Sequence, residues 1–127
     1  MKHTFIAVKK QNIESAMSHF ENPGIKPYKY CLLDDKLVLC EKDDKLVLCE
    51  LFNNIEVFHQ NFSNKSNMLD YWGKTIIPPH TVSEIKHRIE SNSHFKFKMI
   101  TSKEFRKFVN LIDYAIKNEY YIVHLGI

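Results

Sequence analysis

The stretch 28–62, YKYCLLDDKLVLCEKDDKLVLCELFNNIEVFHQNF, decides the fold class. It divides into four runs rich in Leu, Val, Phe and Tyr, at 28–33, 36–41, 45–52 and 55–62. Their links are Asp34-Asp35, Lys42-Asp43-Asp44 and Asn53-Asn54. Asp and Asn side chains bond their own backbone and tolerate unusual dihedrals, so these links read as turns. Links this short join antiparallel neighbours only, and the stretch predicts a β-meander. Within it, DDKLVLCE at 34–41 recurs unchanged at 43–50, a period of nine. One exact copy at so short a period is a local duplication, not a solenoid. An odd period swaps the faces of a continuous strand, so a chain reversal at 41–44 is expected.

Upstream, 2–8 reads as a strand, and Ile13, Ala16, Met17 and Phe20 fall on one face of a helix that ends at Asn22-Pro23-Gly24. Downstream, 66–72 reads as a short helix closed by Gly73, followed by Thr75-Ile76-Ile77 and Pro78-Pro79. Thr81 with Glu84 has the spacing of a capping box, and Val82, Ile85 and Ile89 follow on one helical face. Residues 94–100 read as a short strand or an extended link. Thr101 and Glu104 repeat the capping spacing. Phe105, Phe108, Val109, Ile112, Ala115 and Ile116 then make the clearest apolar stripe of the chain. A final strand is expected at 120–125. Strands cluster early and helices late, which predicts an α+β fold: an antiparallel sheet with a central meander, packed on one face by helices.

At 127 residues the chain fits a single domain, 1–127, that buries one core without metals or disulfides. Three cysteines, Cys31, Cys40 and Cys49, argue against a disulfide framework and for a reducing compartment. The apolar run near the N-terminus is too short for a signal peptide, and no stretch suits a membrane span. A cytoplasmic location is the expectation, with no membrane partner. Net charge is +3 but unevenly spread. Residues 34–56 hold seven acids against three lysines, a net of −4, which leaves +7 for the remainder. Such asymmetry steers partners of opposite charge to one face.

The residues offer little catalytic chemistry. The three glycines are isolated, which excludes a phosphate-cradling loop, and no cysteines have zinc-site spacing. No cofactor and no metal are expected. His80, His87 and His94 recur every seven residues, about 10 Å apart on one helix, too far to share a metal. Histidines brought together by the fold still allow acid–base chemistry of the ribonuclease kind. His94-Phe95-Lys96-Phe97-Lys98 interleaves charge with aromatics, a pattern that suits phosphates and bases. The simpler reading is a half-buried strand with both Phe inward and both Lys outward.

Tyr71-Trp72-Gly73-Lys74-Thr75-Ile76-Ile77-Pro78-Pro79, a helix opened by Thr81, and the terminal Tyr121-Ile122-Val123-His124-Leu125-Gly126-Ile127 together resemble small immunity proteins of bacterial polymorphic-toxin and contact-dependent growth inhibition systems. The resemblance covers 69–127. It implies a non-enzymatic α+β protein that neutralises a cognate toxin, often a nuclease, carried as the C-terminal domain of a large secreted protein. Immunity proteins against nucleases are often acidic, and this chain departs from that in its overall charge; the acidic stretch 34–56 supplies the complement locally. Glu41, Asp43, Asp44 and Glu50 are then the expected charged contacts, with Tyr28, Tyr30, Tyr71 and Trp72 as aromatic anchors. The alternative is a small nucleic-acid-binding or RNase-like protein that uses His87, His94 and nearby lysines; nucleic acid is the less expected partner.

Overall fold

A computed structural model describes residues 2–18, 28–34 and 48–126. Its elements are β1 (Lys2–Val8), α1 (Ile13–Met17), β2 (Lys29–Asp34), α2 (Leu48–Leu51), β3 (Val57–His59), β4 (Lys65–Ser66), β5 (Lys74–Ile77), α3 (Pro79–Glu90), α4 (Ser93–Thr101), α5 (Lys103–Asn118) and β6 (Tyr121–Leu125). The six strands form one sheet in the order β2-β1-β6-β5-β3-β4, with every pair antiparallel. The α+β class read from the sequence is the class of the molecule.

Strand alternation sorts the sheet into two faces. Phe5, Ala7, Cys31, Leu33, Ile77 and Ile122 point to one side, where they meet Val82, Ile85 and Ile89 of α3, Phe95 of α4 and the stripe of α5. Ile6, Val8, Ile76, Val123 and Leu125 point to the other and meet Ile13, Ala16 and Met17 of α1. The three long helices thus share one face, and the five-residue α1 lies on the opposite one. On α5, Phe105, Phe108, Val109, Leu111, Ile112 and Ala115 are all buried. Each of these side chains larger than Ala115 contributes about 1.5–3 kcal/mol of transfer free energy, an upper range because unfolded chains already bury some surface.

Several local expectations are corrected. Of the meander, 35–47 lie outside the described residues, including the reversal at 41–44; the expected end of the first helix at 22–24 lies outside them too. The third run ends as helix α2, not strand. Leu51 and Phe52 are 0% and 2% exposed, and two consecutive residues of one strand cannot both face the same core. Arg88 fixes that end: its guanidinium donates to the carbonyls of Glu50 (3.2 Å), Leu51 (3.3 Å), Asn53 (2.5 Å) and Asn54 (3.3 Å), and pairs with Glu84 at 2.9 Å. The fourth run shrinks to β3, because the chain turns at Gln60, where φ is 68°.

Ser66 ends β4, and residues 67–72 form a bend and a turn in place of the expected helix. Helix α3 begins at Pro79, with Pro78 in the capping position, so Thr81 is already inside the helix and its hydroxyl donates to the Glu56 carbonyl at 2.6 Å. Proline fixes φ at a helical value and lacks the N–H that a first turn leaves orphaned. Residues 93–101 are helix α4, not a strand, so Phe95 is buried while Phe97 is 63% exposed. Ser102, not Thr101, caps α5 by accepting from the Phe105 N–H at 3.1 Å. Glu104 turns away instead, and its carboxylate accepts from the Asp34 N–H at 2.6 Å.

Candidate functional site: a locked turn that presents Trp72

The turn between β4 and β5 is fixed from both sides. The Asp70 N–H donates to Thr75 Oγ1 at 2.9 Å, and Asp70 Oδ1 accepts from the Trp72 N–H at 3.1 Å. The Gly73 N–H returns to the Asp70 carbonyl at 3.3 Å. Across the sheet end, the Gly126 N–H donates to the Gly73 carbonyl at 2.7 Å. Close approach requires Gly126, where a Cβ would strike the Tyr71 carbonyl; a Cβ on Gly73 would displace the Asp70 carboxylate. The main chain therefore has few alternatives here, and the Cα positions of the side chains it carries are fixed.

Those side chains divide the work. Tyr71 packs inward on the core, its ring edge-on to His3 at 6.1 Å, and burial pushes its hydroxyl pKa up. Trp72 points out and is 74% exposed; Met68, at the start of the same turn, is 54% exposed. A turn whose backbone is already fixed adds little ordering cost when a partner covers the indole.

Beneath the turn lies a buried polar file. His3 Nδ1 and His124 Nε2 are 2.8 Å apart, both residues fully buried, and His124 Nδ1 is 3.5 Å from Thr75 Oγ1. The rings stack at 5.1 Å, with Phe5 at 4.9 Å from His124. Burial, then the charges of His3 and His59, push the His124 pKa down to about 3. Two ring nitrogens at this separation share a single proton, one donating and the other accepting. The pair meets no solvent, so it organises the interior. Its signal in the sequence is parity: His3 and His124 fall on the same face as Phe5 and Ile122 once β1 and β6 pair.

A second concave region runs between β2 and α5. A groove of about 440 Å³ is lined by Tyr28, Tyr30, Lys107, Asn110 and Tyr114. Lys29 Nζ sits 4.4 Å from the Tyr114 ring centroid, and the Tyr28 hydroxyl donates to Ser15 Oγ at 2.8 Å. Cys31 lines an adjoining groove with Leu32, Lys103 and Glu104, and its pKa is pushed up to about 12 by burial and by the nearby Glu104 carboxylate.

Of the residues expected to bind a partner, Trp72 and Tyr30 are open to solvent, the latter 54% exposed. Tyr28 is half-buried and tied to α1, and Tyr71 serves the core. Glu50 is exposed on α2, while Glu41, Asp43 and Asp44 lie outside the described residues. His80 and His87 belong to α3 and His94 to α4, so the heptad does not lie on one helix; His80 pairs with Glu56 at 3.3 Å. Among the described residues no group of three or more His, Cys, Asp and Glu is placed to hold a metal ion. No described helix is long and apolar enough to cross a membrane. No protein-family model, curated protein or solved structure matches the chain.

Proposed function

We propose that this protein is an immunity-type inhibitor that binds and neutralises a bacterial toxin domain by surface contact, without catalysis of its own. The observation that carries the reading is Trp72, a large aromatic 74% exposed on a turn whose backbone is pinned by Asp70, Gly73 and Gly126. Tryptophan is among the residue types enriched at the hot spots of tight interfaces, and a backbone already fixed lowers the ordering cost of binding. The two stretches that carry the family resemblance also support it. They pair as neighbouring strands, Lys74 opposite Leu125 through Ile77 opposite Ile122, so they form one structural unit.

The reading is tested by co-expressing the chain with the toxin domain encoded beside it. Retention on the tagged toxin at one-to-one stoichiometry is expected. Trp72→Ala should weaken it about thirtyfold or more, since such anchors contribute about 2 kcal/mol or more. Asp43→Lys with Asp44→Lys should slow association, chiefly at low salt. Neutralisation at far below one equivalent of inhibitor, or none at all by the intact chain, would sink the proposal.

A further inference from the structure

Helix α4 carries two apolar faces where a surface helix ordinarily has one. Phe95 and the partly buried Met99 point to the core, while Phe97 and Ile100, 63% and 76% exposed, lie three residues apart on the outward side. At 100° per residue, Phe97 and Ile100 form one outward stripe, with Lys96 on one flank and Lys98 on the other. The Arg106 guanidinium closes the C-terminal end, donating to the Met99 and Ile100 carbonyls at 3.0 Å each. Residues 93–107 hold five basic groups and a single acid, a net of +4. That acid, Glu104, is engaged with the backbone of β2.

We infer that this face of α4 docks on an anionic lipid surface, independently of the toxin-binding reading. An exposed apolar pair between lysines suits peripheral contact with anionic lipid, the apolar side chains meeting the acyl boundary and the ammonium groups the phosphates. Phe97 and Ile100 enter the headgroup–acyl boundary, and the lysine stems lie along it with their ammonium groups directed to phosphates. The charge excludes an equally strong association with neutral lipid, and the aliphatic Ile100 has no role in stacking on bases. The association is peripheral.

The test uses the full chain and vesicles of phosphatidylcholine, alone or mixed with phosphatidylglycerol. Sedimentation with the mixed vesicles only, weakened by salt, is expected. Lys96→Glu and Lys98→Glu should each reduce binding about fivefold or more. Phe97→Ser with Ile100→Ser should abolish it while circular dichroism stays native, both side chains being exposed. In a Trp72→Phe background, Phe97→Trp should blue-shift its emission on the same vesicles. Binding that survives the double serine change, or no binding to anionic vesicles, overturns the inference. Capture of a single-stranded RNA oligonucleotide without vesicle binding also overturns it and reassigns the patch to nucleic acid.

Discussion

Nδ1 of His3 and Nε2 of His124 lie 2.8 Å apart in the interior, although 121 positions separate them in the chain. A ring whose folded pKa lies below its ordinary value of 6.5 binds fewer protons in the fold than in the unfolded chain. The ring's contribution to stability is therefore full above about pH 6.5 and is lost as pH falls toward about 3. Urea midpoints measured across the window should fall steadily with acid, and His124→Gln should flatten the slope. A wild-type midpoint that holds constant between those limits counts against the buried neutral ring.

Arg88 should matter more than a surface arginine. Its guanidinium serves four carbonyls at the end of α2 and the turn that follows. Arg88→Ala leaves those acceptors with fewer donors and should cost about 2–3 kcal/mol. Arg88→Lys should recover only a minor part, because one ammonium cannot reproduce a planar fork. Chemical denaturation of the two variants distinguishes this from an ordinary surface ion pair with Glu84.

The sequence made the sheet's long strands and its longest helix legible because period and burial agree there. The strand 2–8 and the stripe from Phe105 to Ile116 stand in the fold nearly as their patterns predict. Pattern and structure part where a tertiary contact overrides local periodicity. At α4, Phe95 and Phe97 alternate with lysines as a strand would, yet the Asn92 cap, whose side chain accepts from the His94 N–H at 2.9 Å, starts a helix. At α2, Leu48–Leu51 looked like strand until Arg88, distant in sequence, took the carbonyls at its end. Trp72 suits an anchor by residue type, but the closure of its turn depends on Gly126, which no local pattern connects to it.

The two glycines of that locked turn should respond differently. An added methyl at Gly126 meets backbone, which cannot swing aside, whereas one at Gly73 meets the Asp70 side chain. Gly126→Ala should cost about 1–3 kcal/mol by overpacking. Gly73→Ala should cost less, but it should speed exchange of the Trp72 amide by displacing the Asp70 carboxylate. Thermal melts and amide hydrogen exchange read the two effects separately; equal losses of stability would contradict this account.

Cys31 should be chemically silent in the fold. With its pKa pushed up to about 12 by burial first and Glu104 second, it holds almost no thiolate at neutral pH. Its peptide should take up iodoacetamide only after denaturation, as peptide mapping can establish. Rapid labelling of the native protein at Cys31 would show that the β2–α5 packing opens readily.

The pairing of β1 with β6 makes the middle of the sheet a late arrival. Phe5 lies opposite His124 and Ile6 opposite Val123, so β1 lacks this neighbour until residues 121–125 have been synthesised. A chain truncated before Tyr121 has β1 and β5 without the strand that joins them, and leaves two strand edges unpaired as templates for aggregation.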